Sequence, residues 1–97
     1  MTRRETQARY GNDAFRHEYY ASAIDIPIDV LDLEVTLPEA FEATFHGVVF
    51  YGGSELIAAE ETRRVGTMLN ASRHSARLHV EAPKLAFNYA IYWVPLR

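Results

Sequence analysis

The stretch Leu31-Asp32-Leu33-Glu34-Val35-Thr36-Leu37, closed by Pro38, decides the fold class. Leucine and valine fall at every second position, with Asp32, Glu34 and Thr36 between them. The side-chain period is therefore two, which predicts a strand with one apolar and one acidic or polar face. Downstream, Phe41, Ala43, Phe45, Gly47, Val49 and Tyr51 alternate with Glu42, Thr44, His46, Val48 and Phe50. The apolar end of that second set predicts a strand covered on both sides toward its close. Ala76, Leu78, Val80 and Ala82 alternate with Arg77, His79 and Glu81 in a third, half-buried strand. Residues 85–94 are the most hydrophobic segment. Leu85, Phe87, Tyr89, Ile91 and Trp93 share one face, and Ala86, Asn88, Ala90, Tyr92 and Val94 the other. Such a pattern predicts an interior strand or one at a subunit interface, with small residues at 86 and 90 that would let a helix approach closely.

The remaining segments read as helical. Asn12 or Asp13 can cap a helix that places Phe15, Tyr19 and Ala23 on one face, and Pro27 stops it before residue 26. Gly52-Gly53 makes a turn, after which residues 54–70 carry an apolar stripe of Ile57, Ala58, Val65, Met68 and Leu69 and a favourable Glu60–Arg64 spacing. Gly66 weakens that helix, and Asn70 is its expected stop. The order predicts an α+β fold: an antiparallel sheet of about four strands with two helices on one face. The alternative is an all-β sandwich in which residues 54–70 are extended. Residues 1–11, polar and ending at Gly11, are expected to be a mobile N-terminal arm, and residues 12–97 a single α+β domain.

Composition bounds the class of function. The chain has 97 residues, 48% of them hydrophobic, and no cysteine. That composition suits one globular core in a reducing compartment. No apolar run is long enough for a membrane span and no signal-peptide pattern opens the chain, so a cytoplasmic protein without a membrane partner is expected.

Charge is segregated. Residues 17–62 hold ten carboxylates and no lysine or arginine, although the net charge is only -3. Of these carboxylates, Asp25, Asp29, Asp32, Glu34, Glu39 and Glu42 are the candidate partner-binding residues. They form an acidic face that would dock on a basic, nucleic-acid-binding surface of a larger protein by presenting carboxylates in place of phosphates. The competing explanation is internal pairing, with Asp32 and Glu34 opposite Arg77 on a neighbouring strand. Direct nucleic-acid binding is disfavoured, because the acidic surface would repel phosphate.

Catalytic and cofactor motifs do not emerge. The carboxylate spacing does not match a calcium loop, and His17, His46, His74 and His79 lack zinc-ligand spacing, though His46 and His79 could meet across strands. Gly52-Gly53-Ser54 is followed by Glu55 rather than lysine, and no serine sits in a nucleophile motif. No cofactor is expected. The function these features favour is a non-enzymatic binding protein, a small acidic inhibitor or immunity-type module. The alternatives are a small enzyme or ligand-binding α+β domain with an aromatic pocket, homodimeric through its terminal strand, and a self-assembling structural subunit.

Overall fold

The structure, a computed structural model, describes residues 2–11 and 19–96. In chain order the elements are β1 (Arg3–Arg9), β2 (Tyr19–Ala23), β3 (Val30–Thr36), β4 (Ala43–Tyr51), α1 (Ala59–Gly66), β5 (Leu69–Ala71), β6 (Ser75–Glu81) and β7 (Phe87–Pro95). They form two sheets, ordered β1-β3-β6-β5 and β2-β7-β4. A shared core lies between them. Leu31, Leu33, Val35, Ala76, Leu78 and Val80 come from the first sheet, and Phe45, Val49, Tyr89, Ile91 and Trp93 from the second. The alternation that makes each segment a strand also supplies its buried face. The chain is thus β-rich, with two packed sheets and one short helix among the described residues, in place of one sheet covered by two helices.

The departures have local causes. Tyr19 and Ala23, four residues apart, share a face in a strand as well as in a helix; with β7 beside them they form β2, paired Tyr19 to Tyr92 through Ala23 to Asn88. The start of the expected helix, residues 12–18, lies outside the described residues. The segment expected as a mobile arm contains β1, which runs parallel to β3 from Arg3 opposite Val30 to Arg9 opposite Thr36. The first sheet is therefore mixed. Having one neighbour, this edge strand needs little apolar surface, and its flank is held to β2 by polar side chains. Arg4 Nη1 donates to Ser22 Oγ (3.2 Å) and Ala23 O (2.7 Å), and Thr6 and Tyr20 share a hydroxyl hydrogen bond.

The helix expected over 54–70 is confined to Ala59–Gly66. Upstream, Ile57 bridges to Phe50, and Tyr51 N donates to Leu56 O (2.9 Å), so this part of the chain follows the edge of β4. Thr62 then completes that edge: its Oγ1 accepts from Val49 N (2.9 Å) and donates to Val49 O (3.2 Å). The helix thereby covers backbone groups that an exposed edge would offer to another chain. Asn70, expected as a helix stop, sits in β5 opposite Arg77.

The strand expected to be interior, β7, lies between β2 and β4. Tyr89, Ile91 and Trp93 face the core; on its outer side Ala90 is buried, while Tyr92 and Val94 are exposed. A buried polar cluster fixes α1 to the start of this strand. Glu61, only 4% exposed, receives Arg64 Nε (2.8 Å) and Nη2 (2.6 Å) and the Tyr89 hydroxyl, which itself accepts from Lys84 N (2.8 Å). Burial, reinforced by Glu61, pushes the Tyr89 hydroxyl pKa up to about 12.

Candidate binding trough

The two outer faces differ in chemistry. On the first sheet the outward row Glu5–Asp32–His79 is followed by Gln7–Glu34–Arg77–Asn70, so charges of both signs interleave. On the second sheet the outward rows are Tyr19–Tyr92–His46, then Ala21–Ala90–Val48, then Ala23–Asn88–Phe50. None of these nine positions carries a carboxylate, lysine or arginine. The His46 ring stacks on Tyr92, with centroids 4.9 Å apart and 24° between planes.

Small side chains at Ala21 and Ala23 leave a hollow on the β2 side of this sheet, with Tyr19 and Phe50 also in its lining. Tyr19, Ala21, Ala23, Phe50 and Asn88, with Ser54 and Glu55 from the turn after β4, enclose a trough of about 420 Å³. That volume lies within the roughly 300–1,000 Å³ of ligand-binding clefts. Tyr19 is 59% exposed. The Ser54 hydroxyl is committed to the turn, donating to Tyr51 O (3.1 Å) and accepting from Leu56 N (3.2 Å).

One end of the trough opens on an apolar pole. Ile26, Tyr51, Leu56, Ile57 and Leu85 are all exposed, Leu56 by 70%. Hydrogen bonds from Ala86 N to Ile24 O (2.8 Å) and from Gly52 N to Ala86 O (2.7 Å) tie the three loops that carry them. The close approach requires glycine at 52, where a Cβ would lie 2.3 Å from Ala86 O. Ala82 and Ala86 hold φ values of 52° and 70°, so the β6–β7 loop keeps its course at a conformational cost to two non-glycine residues.

The six carboxylates singled out in the sequence do not share one surface. Asp29, which accepts from Thr2 N (2.8 Å), and Glu39 lie at opposite ends of β3, a seven-residue strand about 20 Å long. Asp25 pairs with Arg4 (3.1 Å) on the β1–β2 flank, and Glu42 with Arg73 (3.6 Å). Asp32 is 4% exposed, held by Arg3 Nη2 (2.6 Å), His79 Nδ1 (2.7 Å) and, at 3.6 Å, Arg77 Nη2. Burial pushes its carboxyl pKa up, but the His79 and Arg3 hydrogen bonds outweigh that and leave it lowered. Only Asp32 and Glu34 share a face, and cations are interleaved there. Of the expected acidic face, Asp25, Asp32 and Glu42 are paired internally, while Asp29, Glu34 and Glu39 have no ion-pair partner among the described residues.

The histidine expectation also changes. His46 and His79 lie on the outward faces of different sheets, and no three metal-ligating side chains converge among the described residues. Trp93 is buried and Tyr20 is engaged by Thr6; the outward aromatic side chains of the second sheet are Tyr19, Tyr92 and Phe50, with His46 stacked on Tyr92. The trough-lining residues Ala21 and Ala23 were hidden in the sequence by the helical reading of β2. The signal that could have found them was the alternation Tyr19, Ala21, Ala23, which pairs with Tyr92, Ala90 and Asn88.

No helix among the described residues is long and apolar enough to cross a membrane. No family model, curated protein or solved structure matches the chain, so its functional assignment rests on this geometry.

Proposed function

We propose that the protein is a non-catalytic binding module that docks a partner protein through the outer face of its three-stranded sheet. The observation that carries this is an aromatic-rimmed trough whose sheet positions carry no charge, beside a pole of exposed apolar side chains. Protein-binding surfaces concentrate aromatic anchors and are depleted of charge at their centre, with charge kept to the rim. An inhibitor or immunity-type role on a basic surface is the form of this function that the charge distribution favours. Glu34, Glu39, Glu55, Glu60 and Glu81 have no ion-pair partner among the described residues, whereas most described cations are held by carboxylates.

The test is competition between faces. Immobilised wild type, Ala21→Arg and Glu39→Gln are each incubated with lysate of the native host at low and high salt. Docking through the trough predicts a protein retained by wild type and Glu39→Gln but lost from Ala21→Arg, which fills the floor without touching the core. Retention by all three proteins contradicts it.

A further inference from the structure

We infer that the trough is built for a basic segment, one that lays an apolar or aromatic side chain on the alanine floor and sets a lysine or arginine cation against Glu55. This deepens the docking function proposed above and rests on it.

Among the described side chains that enclose the trough, Glu55 is the one charge; it is exposed and has no ion-pair partner among the described residues. Asn88, at the same end, makes no side-chain hydrogen bond within the described residues, so its carboxamide oxygen is available as a second acceptor. Phe50 and Tyr19 also line the trough, and an aromatic ring attracts a cation held over its face. Among the described cations, Arg4 is committed to Asp25 and Ala23 O, and Arg64 and Lys84 to Glu61. An anionic ligand would therefore meet Glu55 with no compensating cation among the described lining residues.

The same chemistry disfavours the other occupants of an apolar face. A second copy of this chain, docked face to face, would bring two Glu55 side chains to a trough with no cation in its lining. A membrane surface rich in anionic lipid would face the carboxylates of Asp25, Asp29, Glu55 and Glu81 around the apolar pole. A basic partner meets both properties of the site, its apolar floor and its unneutralised rim.

The experiment is a backbone NMR titration of the full chain with 2-phenylethylammonium and, separately, 3-phenylpropionate, probes with similar rings and opposite charge. The expected result is perturbation of the Ala21, Ala23, Glu55 and Asn88 amides in the millimolar range, with the ammonium bound more tightly. At low salt the preference should exceed about fivefold, the factor for one unit-charge pair about 4 Å apart in water, because the carboxylate probe is repelled where the ammonium is attracted. Glu55→Gln should abolish the preference while leaving the ring-dependent perturbation. Equal affinity of the two probes at the trough overturns the cation assignment and leaves the docking surface standing. Failure of both probes to perturb these amides overturns the docking surface as well. Perturbation of the same amides by protein concentration alone assigns the trough to a second copy and likewise overturns the inference.

Discussion

Glu61→Gln keeps the shape of a buried side chain while removing the charge that Arg64 grips with two nitrogens, at 2.8 and 2.6 Å. Breaking a buried ion pair costs about 3–5 kcal/mol when the partner charge is stranded. Arg64 retains 35% of its side-chain exposure, so water recovers part of that. The expected loss is about 2–4 kcal/mol, or roughly 10–25 °C in Tm for a domain of this size. Its pH dependence identifies the mechanism. Arg64, and after it the Tyr89 hydroxyl, holds the Glu61 carboxyl below its ordinary value of 4.5 against the opposing effect of burial. A depressed carboxylate contributes stability that is full above its unfolded value and is lost as pH falls through its folded value. Urea melts of wild type and Glu61→Gln should therefore differ most near neutral pH and draw together as pH falls below 4.5 toward the lowered folded value. A penalty under about 1 kcal/mol at neutral pH, or one that persists undiminished in acid, refutes the assignment of the stabilisation to the charged pair.

Ile91→Ala should cost about 2–5 kcal/mol in denaturant melts, because Ile91 is fully buried in the central strand, whereas the half-buried Phe87→Ala should cost less. Gly52→Ala should destabilise by about 1–3 kcal/mol as its Cβ drives into Ala86 O; an unchanged melt would show that the loops part freely. Asp32→Asn should destabilise by about 1–3 kcal/mol by weakening bonds to Arg3 and His79, while Glu34→Gln on the same strand should be neutral within about 0.5 kcal/mol in the same melts.

Much of the sheet structure was legible because burial imposes period two on sequence. Leu31, Leu33 and Val35, and likewise Leu78 and Val80, name their inward face directly. The alternation in Phe45 to Tyr51 and Phe87 to Trp93 did the same for the second sheet. What stayed hidden were elements whose partners lie far away in the chain. Arg3–Arg9 is a strand because β3 offers it an edge, and its own Thr6 and Ala8 give only a faint apolar signal. Tyr19 and Ala23 satisfy two periods at once, so only the presence of β7 selects the strand.

The acidic block was legible as charge but not as surface. Its pairing depends on register: the β3–β6 register sets Asp32 opposite His79 and Glu34 opposite Arg77, and the parallel pairing of β1 brings Arg3 within reach of Asp32. The trough was harder still, since it needs β2, β7 and the Gly52–Glu55 turn together. Of its lining, the outward Asn88 and the apolar Phe50 were noticed in the sequence, yet nothing local could show that alanines of β2 would complete the floor.

Site-specific photocrosslinking in native host lysate most directly tests whether the second sheet's outer face is the docking face. A benzophenone amino acid replaces Tyr19 at the trough in one protein and Gln7, on the outer face of the other sheet, in a second. Docking through the trough predicts a discrete crosslinked partner from position 19, suppressed when Ala21→Arg is added to that same chain, and none from position 7. A discrete product from position 7 with none from position 19 would contradict it and place the partner on the charged face around Asp32.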